Sequence, residues 1–160
     1  LGMSLLVFAN DFATMSIATD NVKATNSPNA WQLRSLVAAA SGLGALFALE
    51  DLLIWVSATT VFGLDQNAAC TLVMFALVVN SQIRILCVRE RNHFWASRPG
   101  IGMLVVALLT TALFLGMVLF GWIVPAVSCG AVLTTGVICL VGGIGIDFAK
   151  VALFHAFRVK

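Results

Sequence analysis

The chain has 160 residues, of which 61% are hydrophobic and 10% are charged, and its formal net charge at pH 7 is +2. A soluble domain needs far more polar surface than this, and the same composition excludes a disordered chain. The mean hydropathy of +1.03 therefore predicts an integral membrane protein. The chain begins with Leu and carries no recognisable signal peptide, so we expect it to be part of a longer protein.

Five apolar segments are long enough to cross a bilayer, because the hydrocarbon core requires about 20 residues of helix. In chain order they are residues 1–18, 35–62, 68–88, 101–121 and 125–146. The segments between them are short, and the chain has no soluble domain. The sequence thus predicts an all-α membrane protein, a bundle of five transmembrane helices, followed by a helix from residue 147 that runs out into the membrane interface.

The basic residues predict the orientation of the bundle. All nine fall in or beside the first loop, the third loop or the C-terminal tail, whereas the second and fourth loops have none: Lys23, Arg34, Arg84, Arg89, Arg91, Arg98, Lys150, Arg158 and Lys160. Basic segments are retained on the cytoplasmic side. We therefore expect the chain to start outside and to end in the cytoplasm.

A carboxylate lies inside the first apolar segment, at Asp11, beside Asn10 and one turn before Thr14. An Asp at mid-bilayer costs roughly 2.5–3.5 kcal/mol on insertion scales, so such a residue is typical of an ion or proton site. The alternative is an Asp that is simply hydrogen-bonded to a neighbouring helix. Calcium needs about 6–8 oxygen ligands, and Val7, one turn earlier, has none to offer. A lone carboxylate beside an amide and a hydroxyl favours proton binding, with magnesium or another cation as the alternative.

A second polar group consists of Glu50 and Asp51 in the second segment and Arg84 in the third. Adjacent helical residues point about 100° apart, so only one of the two acids can face Arg84 directly. We interpret the group as a buried structural ion pair and not as a transport site.

No metal site is expected, because the four cysteines and two histidines are scattered along the chain. We interpret the cysteines as small, polarisable side chains that pack between the helices. His93 and His155 are isolated and are expected to be solvated or to face lipid. Nothing in the sequence suggests a nucleic-acid partner.

Three segments carry a family resemblance. Asn10 to Lys23, followed by Ser27-Pro-Asn-Ala-Trp31, resembles the sixth transmembrane helix and following loop of P-type ATPases. The likeness is greatest to the plasma-membrane proton pumps and their prokaryotic relatives. Residues 82–100 are similar to the end of the family's eighth helix and its basic loop, and Asp147-Phe-Ala-Lys150 to the close of the tenth. The resemblance extends from end to end.

The resemblance implies that the five segments are the sixth to tenth helices of a multi-pass pump in the plasma membrane. It also implies that Asp11 occupies the position of the carboxylate that takes up and releases the transported proton. The complete pump would use ATP and Mg²⁺, whereas this chain holds neither the Asp-Lys-Thr-Gly-Thr phosphorylation motif nor a nucleotide site. We therefore expect no activity from the chain alone, and no cofactor in it.

The resemblance implies three partners: the lipid bilayer, the N-terminal helices and cytoplasmic domains of the pump, and the transported cation. The cation expected first is H⁺. Two alternatives stay open. In the first alternative, the chain is a segment of a pump for magnesium or another cation. In the second, it is a stand-alone membrane scaffold or interaction protein derived from a pump. A reading frame with the phosphorylation motif upstream of Leu1 would favour a pump.

Overall fold

The computed structural model describes residues 2–17, 20, 33–90, 93–96 and 98–156. These residues form five α-helices and no strand: α1 Gly2–Ser16, α2 Leu33–Thr60, α3 Gln66–Val88, α4 Ile101–Phe120 and α5 Cys129–Ala156. The predicted all-α class is confirmed. Outside the described residues lie Lys23, Arg91, Arg158 and Lys160 of the orientation argument, and residues 21–32 of the resemblance.

Four of the helices are long and apolar enough to cross a membrane, over Val37–Thr60, Gln66–Val88, Ile101–Phe120 and Cys129–Phe154. The described part of α1 has 15 residues, which is short of the roughly 20 that a span requires. Helix length therefore supports four crossings among the described residues. A fifth crossing, by α1, remains a prediction, as does the side of the membrane on which each end lies.

The last helix differs most from its expected bounds. Helix α4 ends just before Gly121, whose φ of 66° is in the left-handed region that commonly ends a helix. Pro125 follows in the turn, and α5 begins only at Cys129. It then continues through residue 147 without a break, and Asp147 and Lys150 are completely buried. The interfacial position of the segment from residue 147 stays a prediction, and the structure adds that these two charges pair with each other inside the bundle.

Helix α3 lies at the centre of the bundle and contacts all four other helices. In its most apolar stretch 56% of the residues are buried, against 33% or less in α2, α4 and α5. Small side chains on α3, such as Ala69 and Ala76, are fully buried, and small residues let membrane helices approach closely. Large apolar side chains such as Leu108 and Phe148 are exposed on the outer helices, as a surface that faces lipid requires.

Two adjacent glycines bring α5 close to its neighbours. A Cβ atom on Gly143 would lie 2.5 Å from Cγ2 of Ile83 on α3, and one on Gly142 would overlap the carboxyl group of Glu50 on α2. No other residue type fits these positions without moving the neighbours. The three helices α2, α3 and α5 therefore meet around this pair.

Candidate transport site

Helix α1 separates its residues into two faces. Ala9 and Ser16 are buried against the bundle, whereas Asn10, Asp11 and Thr14 are exposed. The hydroxyl group of Thr14 donates a hydrogen bond to the backbone oxygen of Asn10, at 2.8 Å. No described side chain hydrogen-bonds to Asp11. The three predicted site residues are thus neighbours on an open face, and the described helices do not enclose the carboxylate.

A cavity of about 200 Å³ lies between α1 and α3, beside this face. Its polar wall is formed by Asn10 of α1 and by Ser81 and Arg84 of α3. Asp11 follows Asn10 by one residue, or about 100° around the helix, and is not itself among the residues that line the cavity. An amide, a hydroxyl and a guanidinium group can hold water here, and no acid contributes to the lining.

The second polar group lies between α2, α3 and α5. Asp51 accepts a hydrogen bond from the side-chain amide of Asn80, at 2.8 Å. The guanidinium of Arg84 lies over the ring of Phe47, 5.0 Å from its centroid, and forms no salt bridge with Glu50 or Asp51. Arg84 remains within electrostatic range of Asp51, so the ion pair stays a prediction. Asn80 was missed because a lone amide in an apolar helix gives no spacing signal.

A cluster of buried polar groups closes the end of the bundle that carries the basic loop. The ammonium group of Lys150 donates to Asp147 Oδ1 at 2.7 Å and to the backbone oxygens of Cys87 and Glu90 at 2.8 and 3.1 Å. The other carboxylate oxygen of Asp147 lies 2.8 Å from Nδ1 of His93. His93 was expected to be isolated, and this was wrong, because its ring is one wall of the cluster.

A second ion pair anchors the same loop. Arg89 donates two hydrogen bonds from one nitrogen to the carboxylate of Asp20, at 2.8 and 3.0 Å, and Asp20 also accepts from the backbone of Gly100 at 2.9 Å. Both charged side chains are nearly fully buried. These contacts and the Lys150 cluster join the segment after α1, the third loop and the end of α5 at one end of the bundle.

Comparison with known proteins adds three relatives. The chain is 28% identical over 159 residues to the plasma membrane ATPase of Kluyveromyces lactis, 24% over 161 residues to that of Neurospora crassa, and 29% over 159 residues to plasma membrane ATPase 2 of Saccharomyces cerevisiae. Each alignment covers 89–90% of this chain and 16–17% of the relative. The chain therefore spans about a sixth of the length of the curated relatives it matches. No protein-family model matches the chain.

The resemblance predicted from the motifs is confirmed by these alignments, since it extends over nearly the whole chain. Together with the four apolar helices, they support a multi-pass membrane protein that is similar to a segment of the plasma membrane ATPases.

Proposed function

We propose that the chain is the sixth to tenth transmembrane helices of a proton-exporting P-type ATPase in the plasma membrane, and that Asp11 is its transport carboxylate. The observation that carries the proposal is the alignment with plasma membrane ATPases along 89% of the chain. A carboxylate in an apolar helix supports it independently, since such residues mark ion and proton pathways.

The open face of α1 is consistent with this role. Helix α1 packs through Ala9 and Ser16 and leaves Asp11 exposed, so the helices that precede it in a complete pump have a free side on which to enclose the carboxylate. A carboxyl group enclosed in this way can alternate between a neutral and an ionised form as it binds and releases a proton. Asn10 and the adjoining cavity would supply the polar path to it.

Two features favour a proton over magnesium or another metal cation. Val7, one turn before Asp11, has no oxygen to offer, so Asp11 has few side-chain oxygen ligands around it, whereas Mg²⁺ demands a full octahedral shell. The guanidinium of Arg84 lines the adjoining cavity and would repel a divalent cation. The same guanidinium would favour the ionised form of Asp11, and so would assist the release of its proton.

In this proposal, pumping depends on domains of the complete pump that lie outside this chain. The family mechanism couples phosphorylation of a cytoplasmic aspartate, with ATP and Mg²⁺, to a change of access at the membrane site. The chain would contribute the protonatable group and the helices α2 to α5 that support it. It would have no activity alone.

The test is Asp11→Asn in the full-length pump that this proposal implies, reconstituted in vesicles. The change keeps the shape and removes the titratable group, so we expect ATP-driven acidification to be lost while insertion and phosphorylation persist. Asp65→Asn is the matched control, because Asp65 is exposed before α3 and makes no side-chain capping bond. Wild-type acidification by Asp11→Asn would refute the role of Asp11. A reading frame without the phosphorylation motif upstream of Leu1 would instead favour the scaffold alternative.

A further inference from the structure

Glu50 is a buried acid that the proposed transport mechanism does not use. It lies in α2, where that helix meets α3 and α5, and only 8% of the residue is exposed. We propose that Glu50 is a second proton-binding carboxyl group, which holds its proton at neutral pH and is separate from Asp11. This inference does not depend on the proposed pump.

The carboxyl oxygens of Glu50 lack the donors that an ionised group needs. Both are buried, and neither has a hydrogen-bond partner in the described part of the chain. A buried carboxylate in an apolar environment is expensive unless it is paired and hydrogen-bonded. A proton removes the charge and turns one oxygen into a donor.

Asn80 provides an independent sign that the site is short of donors. The residue is fully buried, and its amide nitrogen donates to Asp51 at 2.8 Å. Its amide oxygen is buried and has no partner among the described residues. The group therefore holds unmatched acceptors on α2 and on α3, and a bound proton is the smallest addition that supplies a donor.

The charged and titratable groups around Glu50 also favour the neutral acid. On α2 the next residue, Asp51, is a second acid, and two ionised neighbours would repel each other. From α3, Arg84 lies over the ring of Phe47 and forms no salt bridge with Glu50. From α5, the buried thiol of Cys139 lies within electrostatic range and carries no positive charge.

The close packing of Glu50 excludes a metal ion. Its carboxyl group lies directly against the backbone of α5 at Gly142, where even a methyl group would overlap it. Calcium requires about 6–8 oxygen ligands and magnesium an octahedral shell, and neither shell fits into this contact. A proton needs no cavity, so it is the ligand that the geometry accepts.

The test uses the composition of the chain, which contains two glutamates, Glu50 and Glu90. The chain is produced with ¹³C-carboxyl glutamate, reconstituted in lipid vesicles and measured by infrared spectroscopy at pH 7, where an ordinary Glu with a pKa of about 4.3 is ionised. We expect one isotope-shifted band of a protonated carboxyl group and one of a carboxylate. Aspartates are not labelled, so Asp11 does not enter the result.

Two isosteric variants assign the bands. Glu50→Gln should remove the protonated band and leave the carboxylate band. Glu90→Gln, the matched control two residues after the end of α3, should do the reverse. Circular dichroism verifies that each variant keeps its helices. Two carboxylate bands in the wild-type chain would overturn the proposal whatever the variants do. A protonated band that survives Glu50→Gln would overturn it as well, because that proton would belong to Glu90.

Discussion

Replacing Lys150 with Met tests whether the buried cluster at the basic end stabilises the bundle. The side chain of Lys150 is completely buried, and its ammonium group donates to one carboxylate oxygen and two backbone oxygens. Met has nearly the same length and no charge. The variant therefore removes the ammonium group and leaves the apolar packing of the side chain almost intact.

The cost follows from the groups left behind. Asp147 would remain buried as a carboxylate, with Nδ1 of His93 and the backbone nitrogen of Phe94 still beside it at 2.8 and 3.3 Å. The oxygens of Cys87 and Glu90 would lose a donor at the C-terminal end of α3, where a helix supplies none of its own. Breaking a buried pair by removing one partner typically costs about 3–5 kcal/mol. We expect the free energy of unfolding to fall by that amount.

The assay is unfolding of the purified chain in mixed micelles with rising SDS, followed by helix content and by tryptophan fluorescence. Trp95 gives a local signal, because its ring stacks on His93 at 4.5 Å. Arg98→Met is the matched control, since Arg98 is an exposed basic residue of the same loop, and it should change stability by less than about 0.5 kcal/mol.

A second substitution separates charge pairing from packing. If the loss comes from an unpaired carboxylate, adding Asp147→Leu to Lys150→Met should recover part of the stability, because a buried pair replaced by apolar residues is often neutral. A cost below about 1 kcal/mol for Lys150→Met, or strictly additive effects of the two changes, would refute the reasoning.

Two further predictions concern topology and the second polar group. Single cysteines at Asn67 and Ala96, in a background without the four native cysteines, should be labelled from opposite sides of the membrane, and labelling from one side would contradict the five-span topology. In double-mutant cycles, Asp51 should couple to Asn80 more strongly than to Arg84, because of the two it is Asn80 that hydrogen-bonds to Asp51. A larger coupling with Arg84 would instead support the ion pair predicted from the sequence.

The helices could be predicted because the pattern that encodes them is local and continuous. Apolar runs of the length of a bilayer determine where α2, α3 and α4 lie to within two residues. The end of α5 could not be predicted in this way. In the sequence, Asp147 and Lys150 look like two separate charges that mark the end of a membrane span. In the helix they lie three residues apart and bond to each other at 2.7 Å.

The individual polar residues of the membrane segments could be found from the sequence, but their partners could not. Asp11 and Glu50 are conspicuous because each is a charge in an apolar helix. The contacts of Asp51 with Asn80 and of His93 with Asp147 join residues 29 and 54 positions apart. Such pairs depend on how the helices are arranged, and no spacing along one chain reveals them.

The acids of the chain differ in whether the described helices satisfy them, and this difference bears on function. Asp20 and Asp147 lie at the basic end of the bundle and are held by a buried arginine and a buried lysine, so these contacts hold the loop in place. Glu50 instead lies buried in an apolar helix, and its carboxyl oxygens have no hydrogen-bond partner among the described residues. A carboxyl group in hydrocarbon that has no counter-ion is most stable when it carries a proton. Asp20 and Asp147 therefore serve the architecture of the bundle, whereas the described surroundings of Glu50 favour its neutral form.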